Sequence, residues 1–453
     1  MHPSFYSLVD LLGVVYFLLF YFIIRGIAQK KASNILYKKY FEKGFLYKMI
    51  GSLGFYFIYA FYYGGGDSTT FFVNGKILNQ YITSVDFTDG LSTLFSMQTG
   101  AENLPNWVAN QSVYVYHEGY ILKDASSMLV FRISAVISFF SLNSYLCTCL
   151  SFGFLAYLAL FELFKFFCGL YPQKHPRLFV AVLAMPSVFF WGSSVNKDTI
   201  CISLLSIIVV FFYRCFIQFR LSIWRIIVII LATVVVFRIK NYIVLAAFPG
   251  LLLWLFLAYQ NKFISNGLKY VFGPLLILLG ITASLFIFQN ISSSFAEIST
   301  DALLQKAEGF QSWHSQIQEQ SGGSGYSLGS VDYSLFGIIK KAPLALLITL
   351  FGPFPWQIRN LVMLISGLEG LYLFYLTVTT FFRPSAITRL KHLFSEPVLL
   401  FCISFSIILG IAVGLTSFNY GALVRFKIPL IPFYVAFLVI FEPITKRKNA
   451  KKT

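Results

Sequence analysis

The chain has 453 residues, of which 57% are hydrophobic, 19% aromatic and only 12% charged. An ordinary water-soluble domain carries about a quarter charged residues, so a water-exposed globular fold is excluded. The formal charge of +17 would suit a nucleic-acid partner in a soluble protein, but the basic residues lie mainly in short stretches between apolar runs, and no nucleic-acid partner is expected.

Apolar runs of helical length recur along the chain and predict about eleven membrane spans, at 8–27, 47–64, 143–167, 178–194, 199–216, 225–238, 242–258, 269–288, 361–382, 397–415 and 428–443. The expected fold class is therefore all-α, a single polytopic membrane domain. The first run has no basic flank before it and no small-residue cleavage site after it, so it is expected to remain as a span. The stretches 25–48, 165–177, 214–225, 262–269, 383–391 and 446–452 hold most of the 35 Lys and Arg, which predicts that they and the C-terminus are cytoplasmic. The opposite side then receives two long extracytoplasmic loops, 65–127 and 289–335, and the short connections 196–198, 238–241 and 418–427. Segments 128–142 and 336–352 carry Arg132 and the pair Lys340 and Lys341, and read as interfacial or re-entrant helices. The Gly/Ser-rich stretch 321–330 reads as a flexible hinge. The six cysteines lack the spacing of a metal site or a disulfide framework and read as small buried hydrophobes.

Four places bring chemistry to span ends. In the first, a span closes on Gly64, Gly65 and Gly66 and at once presents Asp67, followed by Ser68, Thr69 and Thr70. A carboxylate beside aromatic rings at the membrane surface suits a general base, and a carboxylate at this position also suits a helix cap. In the second, Pro186, Ser187, Phe190 and Trp191 lead into a short turn ending in Lys197 and Asp198. Lys197 is placed to contact a lipid phosphate, with Asp198 orienting it or capping the next span; a solvated turn with a helix cap is the plainer alternative.

The third place is a pair of outer connections that depart from the positive-inside bias, one bearing Arg238 and Lys240, the other Arg425 and Lys427. Cations at this level either bind a phosphate or pyrophosphate or snorkel to ordinary headgroups. In the fourth, Pro353, Pro355 and Trp356 precede Arg359 and a span containing Glu369, an intramembrane carboxylate that needs a partner or water. Short outer connections of this kind are expected to converge, bringing Asp67, Lys197, Arg238 and Arg425 together.

Taken in order, Gly66-Asp67, the turn running from Pro186-Ser187 through Phe190-Trp191 to Lys197-Asp198, and the late run Arg425-Phe426-Lys427-Ile428-Pro429 with Pro432-Phe433 resemble the GT-C superfamily of membrane glycosyltransferases, especially bacterial branches that build surface polysaccharides. The resemblance covers nearly the whole chain. It departs from the family pattern in an extra span before the acidic loop and in a single Asp67 where an acidic pair is usual. It implies a multi-pass protein of the bacterial cytoplasmic membrane, with a polyprenyl-phosphate-linked sugar donor and a glycan or lipid-linked acceptor; no cofactor is expected and no metal ligand is assigned, and the single Asp67 leaves the metal requirement open. Asp67 would be the base that activates the acceptor hydroxyl. Lys197, Arg238 and Arg425 would neutralise the departing phosphate, and Asp198, Lys240, Arg359 and Lys427 would complete the substrate site. A polymerase or ligase acting on undecaprenyl-pyrophosphate-linked repeat units is the alternative within glycan assembly, and a transporter or lipid flippase the alternative outside it. Transport would favour paired repeats and midplane charges; no repeat is apparent, and the unusual charges cluster near one surface.

Overall fold

A computed structural model describes residues 7–96, 98, 100–115, 124–259, 325–329, 335–382, 393 and 396–441. Those residues are helical apart from turns, short connections and one isolated bridge between Gly325 and Asn419. Helix is the physical outcome of the composition: where lipid replaces water, every backbone N–H and C=O must be bonded within its own segment.

In chain order the principal helices are α1 (Gly13–Lys30), α2 (Glu42–Phe57), α3 (Asp67–Ser84), α4 (Phe87–Phe95), α5 (Asn106–Val115), α6 (Ala125–Phe140), α7 (Tyr145–Leu170) and α8 (His175–Phe179). They continue as α9 (Pro186–Phe190), α10 (Lys197–Phe212), α11 (Ile223–Tyr259), α12 (Leu335–Phe351), α13 (Leu361–Phe381), α14 (Pro397–Thr416), α15 (Tyr420–Phe426) and α16 (Ile431–Phe441).

Among the described residues eight helices are long and apolar enough to cross a membrane, or nine if the bent pair Pro172–Ala184 and Pro186–Ser193 forms one span. The predicted span 269–288 lies outside the described residues. The predicted spans 225–238 and 242–258 both lie within α11, which is two helical stretches joined at a kink at Lys240 (φ −149°, ψ 82°). Two helical stretches therefore meet at Lys240, inside the expected connection 238–241, and the connection is shorter than expected. At 1.5 Å per residue α11 would measure about 55 Å if straight, more than one hydrocarbon core of about 30 Å. The remaining predicted spans each coincide with a described apolar helix or with the bent pair. Segment 65–127, expected as a loop, is largely helical where described, forming α3, α4 and α5. The segments predicted at 128–142 and 336–352 correspond to α6 and α12.

The described residues fall into two compact units. The first draws on Met1–Leu163, Leu183–Leu245 and Val424–Pro429. In it α3 lies against α6, and Asn79 ties the pair by donating to Ala135 O at 2.9 Å, Ser138 Oγ at 3.0 Å and Asn143 Oδ1 at 2.9 Å. Near the chain start, buried Asp10 accepts hydrogen bonds from Tyr56 Oη (3.0 Å), from Ser144 Oγ and from the backbone N–H of Leu146 (3.2 Å), so it caps the first turns of α7 from a distant segment.

The end of α9 and the turn that follows it leave carbonyls that lipid cannot satisfy, and α2 supplies the donors. Lys48 donates to Val188 O at 2.7 Å and Ser52 to Ser193 O at 2.6 Å, both from fully buried positions. Gly51 permits this approach, because a Cβ there would lie 2.0 Å from Phe189 O. Gly51→Ala is therefore expected to destabilise the protein by about 1–3 kcal/mol, as overpacking does. A thermal unfolding midpoint equal to wild type in detergent would show that α2 does not pack this closely.

The second unit draws on Phe164–Val182, Ala246–Leu423 and Leu430–Thr453. Small and hydroxylated residues bring its helices together, as membrane packing favours. Thr349 of α12 donates to Gly410 O of α14 at 2.8 Å, and a Cβ on Gly370 of α13 would lie 2.2 Å from Phe351 O. α16 is buried along its whole length. Of the predicted hinge 321–330, the described part Gly325–Gly329 is pinned: Tyr326 is buried, its N–H donates to Phe418 O at 3.0 Å and its hydroxyl to Gly414 O at 2.9 Å.

Candidate functional site

The site grows from the glycine turn that ends the second apolar helix. Gly64, Gly65 and Gly66 all have positive φ (64°, 139° and 139°), a region that residues with a Cβ rarely enter. A Cβ on Gly66 would also lie 3.1 Å from the ring of Tyr59. The turn folds back on that tyrosine, with Gly65 N–H bonded to Tyr59 O at 3.0 Å. Gly66 occupies the cap position of α3, and Thr69 Oγ1 accepts from its N–H at 3.0 Å. Asp67 is consequently the first residue of the helix and not its cap. Its carboxylate lies at the positive end of the helix dipole, and the neighbouring Ser68 is tied to the buried Tyr145 hydroxyl at 2.9 Å.

The turn after α9 presents the second carboxylate. Asn196 caps α10 by accepting from Thr199 N–H at 2.8 Å, while its amide donates to Trp191 O at 2.7 Å. This closed turn sets Asp198 in the first turn of α10, fully buried. The irregular backbone at Lys240 brings a buried ammonium to Asp198 Oδ1, with the Phe426 ring 4.0 Å from that ammonium.

Arg425 joins the two carboxylates. Its Nη1 donates to Asp67 Oδ2 at 3.2 Å, its Nε lies 3.5 Å from Asp198 Oδ2, and its guanidinium stands 5.5 Å from the centre of the Trp191 ring. The second approach is an ion pair without a hydrogen bond: Arg425 Nε and Asp198 Oδ2 are both buried and neither makes one. The result is a line of alternating charge, Asp67, Arg425, Asp198, Lys240, made of two carboxylates and two cations. The Asp67 side chain is 41% exposed whereas that of Asp198 is 0% exposed, so Asp67 is the carboxylate of this line that an incoming molecule can reach.

Of the four residues expected to meet, Asp67 and Arg425 do so within the first unit, and the partners that join them there are Asp198 and Lys240. Lys197 does not join them. It pairs with Asp124 Oδ2 at 2.8 Å and with Ser126 Oγ at 2.6 Å. Arg238 is half-buried on α11, Lys427 is buried beside Phe426, and Arg359 is exposed and belongs to the second unit, as does buried Glu369. Asp124 was missed as a site neighbour, although Asp124-Ala125-Ser126-Ser127 before an apolar run is a helix-start signal. Tyr59 and Lys48 carried no local signal.

Burial works against ionisation of Asp124, but the Lys197 charge and hydrogen bonds from Lys197, Ser126 and Ser127 outweigh it and hold the carboxyl well below its usual range. Such a group contributes stability above its unfolded pKa of about 3.9 and loses it as pH falls through the folded value. Asp124→Asn keeps the α6 cap. It is expected to lower stability at neutral pH by no more than about 1 kcal/mol, since the pair is partly exposed, and to flatten the fall below about pH 4. Parallel melting-temperature curves against pH for the two proteins would rule this out.

Among the described residues no group of three or more His, Cys, Asp or Glu side chains is arranged to hold a metal ion. The arrangement can do two things chemically. A reachable carboxylate can take a proton, and a guanidinium held between carboxylates can receive an anion. No family model matches the chain, and neither a curated protein nor a solved structure matches it.

Proposed function

We propose that the chain is a membrane glycosyltransferase of the GT-C type, which moves a sugar from a polyprenyl-phosphate donor to a glycan or lipid-linked acceptor at the extracytoplasmic face of a bacterial cytoplasmic membrane. The observation that carries this reading is the sharing of Arg425 between exposed Asp67 and buried Asp198. Transfer needs a base for the acceptor hydroxyl and a cation for the departing phosphate, close enough to act on one bond. Asp67 is the base and Arg425 the cation. Asp198 and Lys240 are too buried to touch a donor, and they act by fixing the guanidinium. That revises the role of Lys240 from phosphate contact to support, and it removes Lys197, which Asp124 holds, from the phosphate site. The meeting of residues from 65–127, 196–198, 238–241 and 418–427 supports the assignment of these segments to one side.

The reading is tested by the lipid-linked material that accumulates when the gene is deleted. Accumulated polyprenyl monophosphate sugar, together with transfer by the purified protein, is the expected result. Accumulated pyrophosphate-linked repeat units would replace it with a polymerase.

A further inference from the structure

We propose that Arg425 masks Asp67 in the ligand-free protein, and that a phosphate-class anion unmasks the carboxylate by taking the guanidinium arm that holds it. The ligand class rests on the reading above; the masking rests on geometry. Arg425 divides its donors unequally. Nη1 makes a hydrogen bond to Asp67 Oδ2 at 3.2 Å, whereas Nε faces Asp198 Oδ2 at 3.5 Å without completing one. Two buried polar atoms of opposite charge thus stand just beyond bonding distance, a costly arrangement that a small movement would relieve.

Of the two ends of the line, the outer one is open to solvent and the inner one is not. Asp198 is fully enclosed and tied to Lys240, so it cannot follow the guanidinium outward. Asp67 is 41% exposed and Arg425 19% exposed, so an anion can approach their contact from outside. A phosphate offers oxygens that match the guanidinium fork better than one carboxylate oxygen does. With its outer N–H groups on phosphate, Arg425 can close Nε onto Asp198, and the added negative charge repels the Asp67 carboxylate. Each step lowers the hold on Asp67. The hold of Arg425 on the base would then loosen when the donor phosphate is seated, which couples the two substrates through one side chain.

Carboxylate labelling reads this directly, without any transfer assay. Full-length wild-type protein in nanodiscs is treated with a water-soluble carbodiimide and glycine ethyl ester, and modification of the peptide containing Asp67 is measured by mass spectrometry. Three additions are compared: inorganic phosphate, dodecyl phosphate and dodecanol. Dodecyl phosphate is expected to raise Asp67 labelling roughly fivefold, the change that breaking a partly exposed ion pair of ordinary strength allows, and dodecanol is expected to do nothing. A response to inorganic phosphate alone would assign the effect to free anion; a response only to dodecyl phosphate would assign it to a lipid-borne headgroup. Labelling that stays flat or falls with both phosphates would overturn the proposal. Arg425→Gln should be labelled strongly from the start and should not respond; the wild-type comparison decides the matter even if that variant folds poorly. A protein that unmasks Asp67 yet transfers no sugar would refute the functional reading and leave the switch standing. The converse result would do the reverse.

Discussion

Asp67→Asn is expected to lower sugar transfer by about a hundredfold or more, the scale of a lost general base, with membrane insertion and folding unchanged. The structural reasons for the second half are specific. The cap of α3 is Gly66, completed by Thr69, so removing the Asp67 charge does not undo the helix start. An asparagine oxygen can still accept from Arg425, and Arg425 keeps its neighbour Asp198. What disappears is the one reachable carboxylate of the charged line. The comparison is made on purified proteins of equal thermal stability, with a polyprenyl-phosphate sugar as donor. Full activity in the variant would remove Asp67 from catalysis and move the weight of the mechanism to Arg425, as in a polymerase.

Asp198→Ala should show the largest loss of stability, about 3–5 kcal/mol, because it leaves a buried ammonium without its counter-charge. Lys240 is 5% exposed and has no room to reach water, and the Phe426 ring on one side offers far less than a carboxylate. Arg425 would at the same time lose its inner partner and depend on Asp67 alone. Lys240→Met should be costly for the mirrored reason. The double variant Asp198→Leu with Lys240→Met removes both charges and should recover much of the loss, since apolar replacements of buried ion pairs are often tolerated. It should not recover transfer, because the guanidinium is no longer held from behind. A double-mutant cycle by thermal unfolding measures the coupling. Additive losses would mean that the two charges do not depend on each other, and the support role assigned to them would fall.

The contrast between Lys197 and Lys240 separates what is local in this protein from what is not. The apolar runs determined the helices, because a segment of that composition in lipid must satisfy its own backbone. The glycine turn determined that Asp67 stands at a helix start, because only glycine adopts those backbone angles readily. Partner choice was decided elsewhere. Asp198 and Lys240 are 42 residues apart, and Asp67 and Arg425 are 358 apart. Lys197, adjacent to Asp198 in sequence, turns to Asp124 instead, 73 residues away. Neighbouring residues on a helix point in different directions, so which charge is buried against which depends on how α3, α6, α10 and α11 pack. The same holds for the kink at Lys240, where nothing in Arg238-Ile239-Lys240-Asn241 shows that two helical stretches meet at a single non-helical residue. Charges near span ends were visible residue by residue. Their assembly into an alternating line, with one end open and the other sealed, is a property of tertiary packing, because burial and counter-charge come from segments that no local pattern relates.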